Sequence, residues 1–181
     1  MVNVLLVGPT SAPWETIASE VEADLARLAR PGVELTYRRT GAGPSEIRSA
    51  HDVRAAAPFV VQTIVDAARE GYDAVIVDCT ADPGVIDARG LVGIPVVGAG
   101  EALRSAIAVA AQPVCALTGD DLRGMDVAVL VNSLRGAATV ALGGTGFSHL
   151  VEILAKANPK LVVLDPLAVA LDACLARLPS D

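Results

Sequence analysis

The chain has 181 residues, 52% of them hydrophobic but only 3% aromatic, and it carries a net charge of −7. That length suits one domain with a substantial core, or two small halves. The acidic balance and singly scattered arginines argue against a nucleic-acid partner, and no apolar run approaches the roughly 18 residues of a membrane span.

The apolar content is mostly Ala, Val and Leu, the composition of a parallel sheet covered by helices on both faces. Val2–Val7 is predicted as a first strand. With neither a basic leader region nor a cleavage pattern ahead of it, it is not expected to be a signal peptide. Gly8-Pro-Thr-Ser-Ala-Pro13 then forms a turn. A helix near Trp14–Ala29 shows Ile17, Val21, Leu25 and Leu28 at helical spacing, and Arg30-Pro-Gly32 stops it. Val33–Arg38 alternates as a strand and opens into the glycine-rich loop Thr40–Glu46. Ala55–Glu70 is the next helix, with Pro58 in its first turn. Asp73–Val77 is a strand, Asp82–Leu91 a short helix or turn, Ile94–Val97 a brief buried strand, and Ala102–Ala111 a helix.

In the second part, Val114–Thr118, Asp126–Val131, Thr139–Leu142 and Leu161–Leu164 all read as strands. No helix is evident between Gly119 and Arg135. Phe147–Ala157 is a helix, and Pro166 opens a last one reaching about Leu178. Strand and helix alternate almost throughout. The expected fold is α/β, two related halves with parallel sheets flanked by helices and a cleft between them. Residues 1–96 make the first half. Residues 97–181 make a shortened second half whose final helix is free to pack back on the first.

The chemistry concentrates at Tyr72–Gly84, where an apolar strand runs into the polar loop Asp78-Cys-Thr-Ala-Asp-Pro-Gly84. Strand C-termini open onto the ligand crevice of such sheets, so Cys79 stands where a thiolate is useful. The other cysteines read as core, Cys115 within a strand and Cys174 on an apolar helical stripe. Three widely spaced cysteines make neither a disulfide framework nor a metal motif, and a reducing cytoplasm is the expected setting. His149, about one turn into the predicted Phe147–Ala157 helix, is a candidate base, since imidazole titrates near neutrality. His51 lies in a polar loop and is the weaker candidate.

These residues resemble the aspartate/glutamate/hydantoin racemase superfamily, and its hydantoin racemase branch in particular. The resemblance rests on Pro9-Thr10-Ser11, on Gly43-Pro-Ser-Glu-Ile47 with Ser49, Asp52 and Ala57-Pro58, and on Asp78–Gly84. It continues through Gly93-Ile-Pro-Val-Val-Gly-Ala-Gly-Glu-Ala102, Leu142-Gly-Gly-Thr-Gly146 and Val163-Leu-Asp165. Those blocks span nearly the whole chain in order. Two departures stand out. Gly144 replaces the second cysteine of the family's pair, and the helix usual between Thr118 and the second block is largely missing.

The resemblance implies a cofactor-independent homo-oligomer that needs neither PLP nor a metal. Its substrate would be a small carboxylate or cyclic amide. Two thiols would face one α-carbon, one removing a proton while the other supplies one, each thiol pulled toward neutrality by its neighbours and by helix starts. Cys79 is the catalytic residue on this view. Pro9, Thr10, Ser11, Ser45, Thr80, Asp82, Gly143, Gly144, Thr145 and Gly146 would bind substrate and its developing negative charge. Asp82 and Glu101 equally suit helix capping. With one thiol, three readings stay open: an isomerase or racemase using Cys79, a decarboxylase of a malonate-like acid, and a small-acid-binding relative without catalysis.

Overall fold

The computed structural model describes residues 1–118 and 126–179. Its first sheet has four parallel strands in the order β2-β1-β3-β4, formed by β1 (Val2–Gly8), β2 (Val33–Arg39), β3 (Ala74–Val77) and β4 (Val96–Gly98). Val4 lies between Leu35 and Ala74, and Val7 between Arg38 and Val77, which fixes the register. Because side chains alternate along a strand, the central strands split their apolar residues between two cores. Val4, Leu6, Ala74 and Ile76 face α1 (Trp14–Leu28) and the last helix. Leu5, Val7, Val75 and Val77 face α2 (Ala50–Glu70) and α3 (Val85–Arg89). Both sets are essentially inaccessible to solvent.

The start of α2 corrects the expectation of a helix from Ala55. Ser49 and Asp52 form a capping box, in which Ser49 Oγ accepts from the Asp52 N–H at 3.2 Å and Asp52 Oδ2 accepts from the Ser49 N–H at 2.9 Å. This reciprocal cap begins the helix early. Pro58 therefore lies inside the helix, where it has no N–H to donate to the carbonyl four residues back. Gly71 ends α2 in the left-handed conformation at φ 90°.

Helix α4 (Ala99–Val109) leads to the second sheet, in which β5 (Val114–Thr118), β6 (Thr139–Gly143) and β7 (Val162–Leu164) run parallel in sequence order. The expected strand at Asp126–Val131 is instead α5 (Val127–Ser133). A short apolar run suits a buried strand and a buried helix equally. Asp126 decides the matter, its carboxylate accepting from the N–H groups of Ala128 at 2.8 Å and Val129 at 3.3 Å. A helix therefore stands where the sequence showed none. Residues 119–125 of that connection lie outside the described residues.

The helix expected from Phe147 splits into a single 3-10 turn (Thr145–Phe147) and α6 (Leu150–Ala157). Leu130, Leu134, Leu150 and Leu154 cover Val140 and Leu142 of the second sheet. The last helix, α7 (Pro166–Leu175), is capped by Asp165, which accepts from the Leu167 N–H at 3.1 Å. Leu167, Ala170, Leu171 and Cys174 pack into the first sheet's core beside Ile76. Asp165 also pairs with Arg27 of α1, tying the chain's end to its first helix.

Candidate active site

The loops after β1, β2, β3 and β6 converge with the end of β5 on a cleft of about 590 Å³, as expected where strand C-termini open outward. Of the predicted residues, Pro9, Thr10, Ser45, Cys79, Thr80, Gly143, Gly144, Thr145 and Gly146 line it. The loops of the two sheets meet directly there, since Thr80 Oγ1 donates to the Gly143 carbonyl at 3.2 Å.

Three predicted residues lie elsewhere. Ser11 does not reach the cleft, because its hydroxyl donates to the Gly43 carbonyl at 3.0 Å and its N–H to Pro44 at 2.9 Å, pinning one loop to the next. Asp82 caps α4, Oδ1 accepting from the Gly100 N–H at 2.8 Å while Oδ2 pairs with Arg104 at 2.8 Å. His149 precedes α6 and is exposed on a separate hollow shared with Glu20, Asp24 and Lys156. That places it outside the Cys79 cleft. Glu101 also serves structure, its Oε1 accepting from the Gly98 N–H at 3.4 Å and its carboxylate pairing with Arg89. The close spacing explains the Gly-Ala-Gly segment. A Cβ on Gly98 would sit 2.2 Å from Asp82 Oδ1, and one on Gly100 would sit 2.0 Å from the Thr80 carbonyl oxygen.

Cys79 packs against the α2 side of the sheet and is partly buried. Burial pushes its pKa up to about 11, and the nearby charges of Asp78 and Asp82 add to the shift; hydrogen bonds from the backbone of Ala81 and Asp82 only partly oppose it. This reverses the expectation of a thiol drawn toward neutrality. The helix that follows, α3, has only five residues and begins beyond Pro83, so little dipole reaches the sulfur to offset desolvation. Near neutral pH Cys79 stands as the neutral thiol.

Among the lining residues that escaped the sequence reading are Glu20, Tyr37, Asp78 and Phe147. Glu20 sits on α1 with its carboxyl raised by burial and by Asp24. Tyr37 is likewise raised, by burial first and then by Asp78. Asp78 is raised to about 7, mainly by burial, against a hydrogen bond from Thr145 that favours the charged form. Its Oδ1 is buried and, among the described residues, has no hydrogen-bond partner. The Phe147 ring fills the space beside Gly144, lying 3.0 Å from where a Cβ would be. Of these four, Asp78 alone left a signal in the sequence, an acid directly preceding the suspected nucleophile. Among the described residues no group of three or more His, Cys, Asp or Glu side chains is placed to hold a metal ion.

A family model for Asp/Glu/hydantoin racemases matches residues 4–121. A hydantoin racemase from Pseudomonas sp. (strain NS671) is 34% identical over 81 residues, a segment covering 45% of this chain and 32% of that protein. The aligned part thus spans about a third of that relative's length. An allantoin racemase from Klebsiella pneumoniae superimposes with a TM-score of 0.80 at 19% identity, covering 97% of this chain and 87% of the other. A second allantoin racemase, from Pseudomonas fluorescens, gives a TM-score of 0.75 at 20% identity over 97% and 90% of the two chains. A liganded arylmalonate decarboxylase carrying glycine-to-cysteine and cysteine-to-serine substitutions gives 0.68 at 16% identity, over 98% and 92%. These structures share the fold, and the family model covers more than half of the sequence. The chain belongs to the Asp/Glu/hydantoin racemase family.

Proposed function

We propose that the protein is a cofactor-independent, racemase-type isomerase that moves a proton at the carbon beside a carbonyl, with Cys79 as its catalytic thiol. The observation that carries this reading is the placement of Cys79 at the C-terminal end of β3, on the wall of a cleft closed opposite by the Gly143–Thr145 loop. Held as a thiol, Cys79 delivers a proton to the α-carbon. The resulting thiolate is a strong base for the reverse step. The cleft's charges point to the substrate class. Glu20, Glu46 and Asp78 line it, and the one lining guanidinium among the described residues, Arg48, is paired with Glu46 at 2.6 Å. Such a wall repels dianions and favours a neutral cyclic amide over a dicarboxylate. A homo-oligomer in the cytoplasm belongs to the same reading.

The test follows the α-proton of each benzylhydantoin enantiomer in D₂O by NMR. Exchange above the buffer rate is expected, with Cys79→Ala losing about 10²- to 10⁴-fold. Undiminished exchange by Cys79→Ala sinks the reading. A decarboxylase is the second reading, favoured by a cleft lined by one thiol, Cys79, and by Gly144, and by the fold shared with the arylmalonate decarboxylase carrying glycine-to-cysteine and cysteine-to-serine substitutions. It predicts CO₂ release from phenylmalonate with solvent deuterium in the product. The acidic lining weighs against that dianion.

A further inference from the structure

We infer that Asp78, acting through the Thr145 hydroxyl, supplies the acid–base group that the missing second thiol would otherwise provide. The inference rests on the isomerase reading and extends it to the opposite side of the cleft.

Proton exchange with change of hand needs two groups on opposite faces of one carbon. Alternation along β3 provides two sides. Val77 belongs to the α2 core and Ile76 to the α1 and α7 core. Past the strand's end the chain turns, the Cys79 N–H donating to the Val77 carbonyl at 2.9 Å, and Cys79 packs on the α2 side. Asp78's charged surroundings belong to the other side, since Glu20 and Asp24 come from α1 and Asp165 from the start of α7. From beneath the sheet its carboxyl reaches Thr145, in the loop of the second wall. Both residues line the cleft. A ligand lying across the end of β3 thus meets the thiol on one side and the Thr145 hydroxyl, backed by Asp78, on the other.

The state of the carboxyl fits the task. A buried carboxylate oxygen without a donor is costly, so Asp78 is poised to take a proton, and its pKa near 7 leaves both forms populated at neutrality. Burial first, then Asp24, Glu20 and Asp165, oppose its ionisation, and the charged carboxylate in turn disfavours ionisation of Tyr37 and Cys79. The Thr145 hydrogen bond favours ionisation. In the forward step the substrate C–H bond breaks and its proton goes to Thr145 Oγ1. The hydroxyl's own proton passes to the Asp78 carboxylate. The electron pair left on carbon is delocalised into the adjoining carbonyl, then takes the Cys79 S–H proton on the opposite face. The enzyme ends as protonated Asp78 and Cys79 thiolate, the pair that runs the reverse reaction.

Two measurements test this independently. In the D₂O exchange assay with the benzylhydantoin enantiomers, Asp78→Asn and Thr145→Val are each expected to lose about 100-fold or more, while Thr145→Ser retains activity within a few-fold. The acid limb of the wild-type profile near pH 7 disappears in Asp78→Asn. Exchange by Asp78→Asn within twofold of wild type, or an unaltered acid limb, overturns the inference. NMR of protein labelled at the aspartate carboxyls does not depend on the probe being a substrate. One resonance titrating near pH 7, absent in Asp78→Asn and shifted upward in Thr145→Val, supports the pair even if neither enantiomer exchanges. A resonance already titrated by pH 5 overturns it whatever the exchange shows. Loss of exchange in Asp78→Asn with full exchange in Cys79→Ala refutes the thiol and leaves Asp78 standing.

Discussion

The cleft's two walls are made of matching parts and hold them differently. Each is a strand end followed by a threonine, β3 leading to Thr80 and β6 to Thr145, and the two are joined by the Thr80–Gly143 hydrogen bond. On the first wall the strand end carries a thiol, fixed by the turn from Cys79 to Asp82 and by Asp82 on α4. On the second wall the corresponding position is Gly144, and the Phe147 ring occupies the space a side chain would need. The lesson is that losing one thiol does not empty the second wall of proton chemistry. The first wall sends Asp78 under the sheet to Thr145 instead, and the charge of that carboxyl helps keep the thiol protonated.

The comparison can be broken at Asp78 by stability measurements alone. Its pKa rises from 3.8 to about 7 on folding, so between those values the folded state holds a proton that the unfolded state has released. Stability is therefore fully present below about pH 4 and falls as pH rises toward 7, by roughly 1.4 kcal/mol per unit crossed. The amide introduced by Asp78→Asn has no such proton to lose. Denaturant unfolding should show Asp78→Asn gaining on wild type between pH 4.5 and pH 7, by as much as a few kcal/mol, with the gain levelling off above that. A difference constant with pH rejects the buried, proton-holding carboxyl.

A smaller effect is expected on the first wall's framework. Gly100→Ala places a methyl group against the Thr80 carbonyl at 2.0 Å and Asp82 Oδ2 at 2.8 Å. The backbone must shift, at a cost of about 1–3 kcal/mol. A lowered melting temperature with slower D₂O exchange is expected, since the displaced loop carries Cys79. Unchanged stability would mean that the loop is not held as tightly as the first wall requires.

The first sheet was the more legible in sequence because its central strands, β1 and β3, are continuous apolar runs closed by turn-forming loops. The ordered blocks from Cys79 to Ala102 marked both the family and the thiol. What escaped depends on distance. Asp82 and His149 were both candidates in one dimension, yet Asp82 turns to the start of α4 and His149 opens onto another hollow. The Val127–Ser133 helix was hidden because five consecutive apolar or small residues have no readable period. Asp78 was visible as a residue and invisible as chemistry. Its role arises from burial and from Thr145, 67 positions away along the chain.

The second wall offers the finest discrimination. If Gly144 were simply a lost cysteine, Gly144→Cys should restore a thiol pair. The geometry argues otherwise, because the new Cβ would lie 3.0 Å and 3.1 Å from two Phe147 ring atoms, closer than carbon atoms comfortably pack. The ring must turn or the sulfur must point away, so the single variant is expected to gain no exchange and to lose some stability. Phe147→Ala clears the space. In the double variant the second thiol can enter the cleft beside Thr145, and D₂O exchange is expected to rise roughly tenfold over either single variant, a step near the low end of acid–base effects. The double variant should also depend less on Asp78, because a thiol now stands where the carboxyl had acted through Thr145. A Gly144→Cys protein that gained activity with Phe147 intact would mean that the ring does not guard this wall, and that the two walls differ by one side chain alone.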